Sequence, residues 1–174
     1  MPQSPKRIRV TIDELSAALE CADWLDRTRV VERYSKQKPN VEAIPSLRKA
    51  LADPYHATVK YAARSLRKLG TAAAEAMNDL LAAAAKPYPP VPPQAYPDCV
   101  EAMAAIQPLH PELLPLIRQH SMSYCNWVPI SSSLRALKVI RTPEAVALMQ
   151  EIVDFWEPKF DKVQRRVVQQ LLSP

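Results

Sequence analysis

Gly70 is the only glycine among 174 residues, set against eighteen prolines. That imbalance removes whole fold classes. Phosphate-cradling loops and dinucleotide folds need several glycines where backbone must take positive φ or approach a ligand closely. Hairpin-rich β proteins need glycine at their tight turns, and β-branched or aromatic runs of period two are absent. What remains is a helical chain punctuated by proline. Hydrophobic residues make up 48 % of it, enough for one core in a single domain. The sequence contains no run of eighteen apolar residues, the length a membrane-spanning helix needs. The opening MPQSPKRIRV is basic without an apolar segment, so it is not a secretory signal, and the cytoplasm is the expected compartment.

The helical pattern recurs along the chain. Thr11 followed three residues later by Glu14 makes a capping box, and Leu15, Ala18 and Leu19 follow at helical spacing. Between Thr58 and Gly70, residues Ala62, Ala63, Leu66 and Leu69 share a face, and Gly70 is a natural stop. Ala73, Ala76, Met77, Leu80, Leu81 and Ala84 share the next one. His110-Pro111 and Thr142-Pro143 each put a cap-like residue before proline, which suits a first helical turn. A final helix over 159–172 places Val163, Val167 and Leu171 on one stripe, with Arg165, Gln169 and Gln170 giving it a wettable outer face.

The starts are spaced. Thr11, Asn40, Thr71, His110 and Thr142 are separated by 29, 31, 39 and 32 residues. A period near 31 that holds two helices is the mark of a helical solenoid. The alternate helices agree: Ala62, Ala63 and Leu66 shift onto Val30, Val31 and Tyr34, onto Ala102, Met103 and Ile106, and onto Ser133, Leu134 and Leu137, with Ser133 alone breaking the apolar register.

The stretch AIPSLRKALADPYHATVKYAARSLRKLG, from Ala43 to Gly70, resembles the HEAT-repeat pattern. The matching residues are Pro45, Leu47, Leu51, Asp53, Pro54, Ala62, Ala63, Leu66, Leu69 and Gly70. Pro115 recurs five residues after His110 as Pro45 does after Asn40. Later units lack the Asp-Pro turn, and the position after Asp53 that carries arginine in the family offers only Lys60. By period the resemblance covers residues 11–172, and it is specific over 41–85. It implies an armadillo-like, all-α fold, a right-handed α-α superhelix of about ten helices in antiparallel pairs. On this reading residues 1–10 form a flexible basic arm and 11–174 a single domain. The proline run at 86–97 becomes a loop inserted between stacked units, held extended by its prolines.

The resemblance further implies that the second helix of each pair lines the concave face. Counting eight and nine residues past each start places Arg48, Lys49, Asp79, Arg118, Gln119, Gln150 and Glu151 in a polar column there, the expected partner-binding surface. Lys60, Arg64, Arg67 and Lys68 fall on one stripe of the convex side and form a second candidate surface, for an anionic partner. Charge is uneven in the same sense: residues 1–70 carry 14 Lys and Arg against 8 Asp and Glu, while 71–134 carry 2 against 5.

Catalysis finds little footing. HEAT-like deoxyhypusine hydroxylases hold iron with His-Glu dipeptides, and none of His56, His110 and His120 precedes glutamate. HEAT-like alkylpurine glycosylases use tryptophans and a carboxylate; Trp24, Trp127, Trp156 and Asp154 are the nearest counterparts, but Trp156 continues the apolar stripe of Leu148 and Ile152. His120 and Cys125 lack an orienting carboxylate nearby in sequence. Cys21, Cys99 and Cys125 form no CxxC pair and read as buried free thiols. The sequence therefore assigns no catalytic residue, no cofactor and no metal. It points to a non-enzymatic protein-binding module, monomeric, of adaptor, assembly-factor or inhibitor type. The alternative is a nucleic-acid-binding solenoid whose basic first units contact phosphate, with a glycosylase-like repair enzyme as its catalytic form.

Overall fold

The computed structural model describes residues 9–86, 95–123 and 126–173. Among these residues the chain forms ten α-helices: α1 (Ile12–Leu19), α2 (Trp24–Ser35), α3 (Ile44–Leu51), α4 (His56–Leu69), α5 (Met77–Ala85), α6 (Tyr96–Ile106), α7 (Leu113–Ser123), α8 (Trp127–Ile140), α9 (Pro143–Trp156) and α10 (Lys162–Leu172). None is long and apolar enough to cross a membrane.

Local chemistry sets the boundaries. The Thr11 hydroxyl accepts from the Glu14 amide at 3.1 Å while the Glu14 carboxylate accepts from the Thr11 amide at 2.8 Å, closing both halves of the capping box. Asp161 closes a second capping box with Gln164 at α10, while the Asp23, Asn126 and Thr142 side chains accept from first-turn amides of α2, α8 and α9. Helix α4 ends on Gly70 at φ 57° and ψ −138°, backbone that a side chain resists. Helix α8 has no glycine at its end and closes on Arg141 in the left-handed region, φ 58° and ψ 15°. The segment Gly70–Ala76 is a 3-10 turn rather than part of α5, and Ala73 inside it departs from helical geometry.

The helices form two layers. Even-numbered helices stack in chain order, α2 on α4, α4 on α6, α6 on α8 and α8 on α10, and odd-numbered helices cover them. Small side chains let the even helices approach closely: Ala62 and Ala63 of α4, Ala102 and Ala104 of α6, and Ser131, Ser132, Ser133 and Ala136 of α8 are all buried. The odd layer is more loosely in contact with itself. In a curved two-layer stack the tightly spaced layer has the shorter arc, so the even helices lie on the inside. Leucine, isoleucine and methionine fill the space between layers, with Leu15, Leu47, Leu66, Leu80, Met103, Ile117, Leu134 and Leu148 almost wholly out of water.

Polar contacts between units repeat at nearly one period. The Thr28 and Thr58 hydroxyls bond at 2.8 Å, thirty residues apart. Tyr96 and Ser133 bond at 2.7 Å across thirty-seven, which explains why a serine interrupts the apolar register of α8. The Trp156 indole donates to the Ser121 carbonyl at 2.7 Å, so Trp156 is a core residue at a seam.

Several boundaries differ from the sequence reading. Val10 is buried and exchanges two hydrogen bonds with the Gln37 side chain, so ordered structure already includes the end of the expected arm; residues 1–8 lie outside the described residues. Tyr96 and Pro97, counted in the proline run, form the first turn of α6, where proline loses no hydrogen bond. The run joins α5 to α6, the two helices of one pair, rather than two stacked units; its residues 87–94 lie outside the described residues. Cys99 is buried but Cys21 is exposed, and Cys125, with its suggested His120 pairing, lies outside the described residues. On α10, Val168 rather than Val163 is the buried position; Val163 sits in the first turn, 71 % exposed.

Candidate functional site

A cleft of about 1190 Å³ runs across the inner layer, lined by side chains of α2, α4, α6 and α8. Its basic residues are Lys36, Lys60, Arg64, Arg67, Lys68 and Arg135, against three acidic ones, Glu32, Asp98 and Glu101. The positions follow from helical geometry. The buried faces of α4 are Thr58, Val59, Ala62, Ala63, Ser65 and Leu66, so Lys60, Arg64, Arg67 and Lys68 must project from the opposite side.

The carboxylates sit lower in the cleft than the cations. Asp98 and Glu101 are 17 % and 13 % exposed, while Arg64, Arg67 and Arg135 are 47 %, 51 % and 45 % exposed. Arg64 donates to Asp98 at 2.6 Å, Arg135 donates to Glu101 at 2.7 Å, and Arg67 donates to the same Glu101. One carboxylate thus holds two guanidiniums from two different helices. Each guanidinium has five N–H donors in a planar fork, and the bonds to carboxylate occupy a minority of them, with one Arg135 N–H turned to Ser132 at 2.8 Å. Tyr61 lies among these charges, with the Lys60 ammonium and the Arg64 guanidinium each 5.7 Å from its ring centre. At the α2 end, the Lys36 ammonium bonds Glu32 at 2.7 Å and holds that carboxyl below its usual range. Lys68 reaches back to the Ser35 carbonyl that ends α2.

A second cleft of about 340 Å³ adjoins the first and shares Arg67, Glu101 and Arg135 with it. Its further lining is Ala105, Ala136, Val139, Leu171 and Lys138. Lys138 caps the last helix, donating to the Gln170 and Ser173 carbonyls at 3.2 and 2.8 Å.

The structure puts the two candidate surfaces on different layers. Arg48 and Lys49 lie on α3, Asp79 on α5, Arg118 and Gln119 on α7, and Gln150 and Glu151 on α9, all in the odd, outer layer. Counting from each start lands on the first helix of a pair, whereas the inner face is built by the second. The column does exist, but most of its charges are held in ion pairs, two of them within the column. Arg48 donates to Asp79 at 2.5 Å and to Glu75 at 3.1 Å, Arg118 bonds Glu151 at 2.7 Å, Lys49 pairs with Glu20, and Gln150 donates to Asp154 at 2.7 Å. Lys60, Arg64, Arg67 and Lys68, read as convex, stand together in the inner cleft. Sequence reasoning missed Glu101, Asp98 and Arg135; a thirty-four-residue spacing from Arg67 to Glu101 and again to Arg135 was the available signal.

The tryptophans do not gather at the cleft. Trp24 packs against Tyr55 at a tilt with ring centres 4.2 Å apart, Trp127 meets Phe160 edge-on, and Trp156 is buried. His120 stacks on Tyr96 at 4.3 Å, and burial holds it below its ordinary pKa. Among the described residues no three His, Cys, Asp or Glu side chains converge as metal ligands.

The two-layer stack of helix pairs is an armadillo- and HEAT-like helical repeat solenoid. Among solved structures it is similar to a computationally designed armadillo repeat protein made for modular peptide recognition, with a TM-score of 0.64 and 13 % identity over 92 % of this chain and 80 % of that one. No protein-family model and no curated protein matches the sequence.

Proposed function

We propose that this chain is a non-enzymatic protein-binding module that holds an extended, acidic segment of a partner protein along its inner cleft. The observation that carries the reading is the cleft itself, with six basic side chains around Glu32 and the recessed Asp98 and Glu101, on the four even-numbered helices α2 to α8. An extended segment crossing the even helices meets Lys36 at the end of α2, four cations on α4 and Arg135 on α8, and guanidinium forks suit carboxylates. Asp98 and Glu101 break the cationic track at α6, which suits a segment with spaced carboxylates better than a continuous phosphate backbone. The design purpose of the similar repeat protein is consistent with peptide binding. Adaptor, assembly-factor and inhibitor roles all use such a surface. Free thiols at Cys21 and Cys99 fit a reducing compartment, and we take the cytoplasm as the setting.

The reading is tested with a fluorescent glutamate-rich peptide and, in parallel, short single-stranded and duplex DNA, titrated at low and moderate salt. The peptide is expected to bind, and Lys36→Glu with Lys60→Glu is expected to weaken it at least tenfold, while Arg118→Ala on the outer layer leaves it unchanged. Tighter binding to DNA than to the peptide would instead favour the nucleic-acid alternative, and equal peptide affinity in wild type and the inner-cleft variant would remove the cleft from the site.

A further inference from the structure

The smaller cleft differs in character from the larger one it joins. Ala105, Ala136, Val139 and Leu171 give it apolar walls, and Val139 is 55 % exposed, a large apolar side chain left in water. At its rim stand Arg67 and Arg135, both bound to Glu101, so two cations share one anion. Resting on the peptide-binding reading above, we infer that the groove recognises a bipartite segment: acidic residues on the basic cleft, and one bulky aliphatic residue beside them in the apolar cleft of α6, α8 and α10.

Three features argue for this occupant. The apolar space is continuous with the basic cleft through Arg67, Glu101 and Arg135, so one extended chain can enter both. Its volume of about 340 Å³ accommodates a leucine-sized side chain with part of its backbone. The surplus of cation at the rim selects a chain that is anionic next to the apolar residue. Spacing follows as well. Arg135 and Val139 are one helical turn apart, roughly 6 Å along α8, and an extended chain advances about 3.3 Å per residue. The aliphatic residue therefore lies within about two positions of the carboxylate that meets Arg135.

The test uses two fluorescein-labelled peptides of equal length, glutamates alternating with serines, with leucine or alanine at the central position. Wild-type protein is expected to bind the leucine peptide about tenfold more tightly, the factor for withdrawing most of one leucine from water. Val139→Gln removes apolar wall at an exposed site, and Ala105→Leu fills the space; both should abolish the leucine preference while keeping the alanine peptide's affinity. Equal wild-type affinity for the two peptides overturns the inference and leaves the acidic-segment reading standing. A leucine preference undiminished in both variants also overturns it, because the leucine then sits elsewhere. Failure of both peptides to bind removes the acidic-segment reading, and this one with it.

Discussion

Asp53 ties two units together at a single carboxylate. It accepts from the Arg27 guanidinium at 2.7 Å and from the Tyr55 amide at 2.7 Å, while Arg27 also donates to the Cys21 and Ala22 carbonyls. The turn before α2 and the turn before α4 are thereby held by one ion pair whose side chains are only 12 % and 5 % exposed. Arg48–Asp79 and Arg118–Glu151 span neighbouring units too, but they stand half in water. The environments rank them. Removing one member of a buried pair leaves a stranded charge and costs about 3 kcal/mol, whereas an exposed pair contributes about 1 kcal/mol or less. Asp53→Ala is thus expected to lower the unfolding free energy by about 3 kcal/mol and Arg118→Ala by less than about 1 kcal/mol. Urea denaturation with a common slope measures both, and similar losses for the two would refute the ranking. Asp53 was legible in sequence as a turn residue. Its partner was not, because Arg27 precedes it by twenty-six residues, and only the stacking of α2 on α4 brings them together.

At the scale of elements, caps were the most legible feature. Thr11 with Glu14, and Thr142 before Pro143, need only side chains within three residues of the amides they satisfy, so local sequence contains the whole interaction. The end of α4 is local in the same way. Gly70 adopts φ 57° and ψ −138°, and an added Cβ would find its nearest neighbour, the Ala105 carbonyl oxygen, at 3.9 Å, an ordinary contact. Space is therefore not the obstacle to a side chain there; backbone conformation is. Gly70→Ala is expected to cost about 1–3 kcal/mol, read as a lower denaturation midpoint with no change in helical signal. A variant as stable as wild type would show that the turn relaxes to another conformation. The stripe of α10 was misread for a reason of the same scale. Helical spacing gave Val163, Val167 and Leu171 one face, but a stripe says nothing about where the neighbouring helix lies; α10 packs on α8, and Val163 in its first turn stays exposed.

At the scale of the whole molecule, the even layer passes without interruption through the region that holds the proline run. Helix α6 packs on α4 on one side and α8 on the other. We propose one cooperative body on that ground. Trp24 reports on the first unit and Trp156 on the last, so tryptophan fluorescence and far-ultraviolet circular dichroism are expected to give coincident transitions in denaturant. Separate transitions for the two ends would indicate two bodies. Curvature belongs to this scale as well. It arises where alanine and serine faces let α4, α6 and α8 approach more closely than the odd helices do, and it turns the α4 stripe of Lys60, Arg64, Arg67 and Lys68 inward.

The sequence by itself determined that the chain is helical, that its helices come in pairs with a period near 31, where most of them begin, and which stripes are apolar. These are properties of residues close in the chain, and periodicity carries them from unit to unit. Only the tertiary structure decided which of the two layers is inside. The sidedness of a helix is local, but the sidedness of the stack depends on how closely successive helices approach, and that is set by contacts between residues some thirty positions apart. The same physics decided which of the paired charges line a cleft and which lie on the other layer. Arg48 and Arg118 bind carboxylates of the next unit on the outer layer, while Arg64, Arg67 and Arg135 crowd above Asp98 and Glu101 on the inner one.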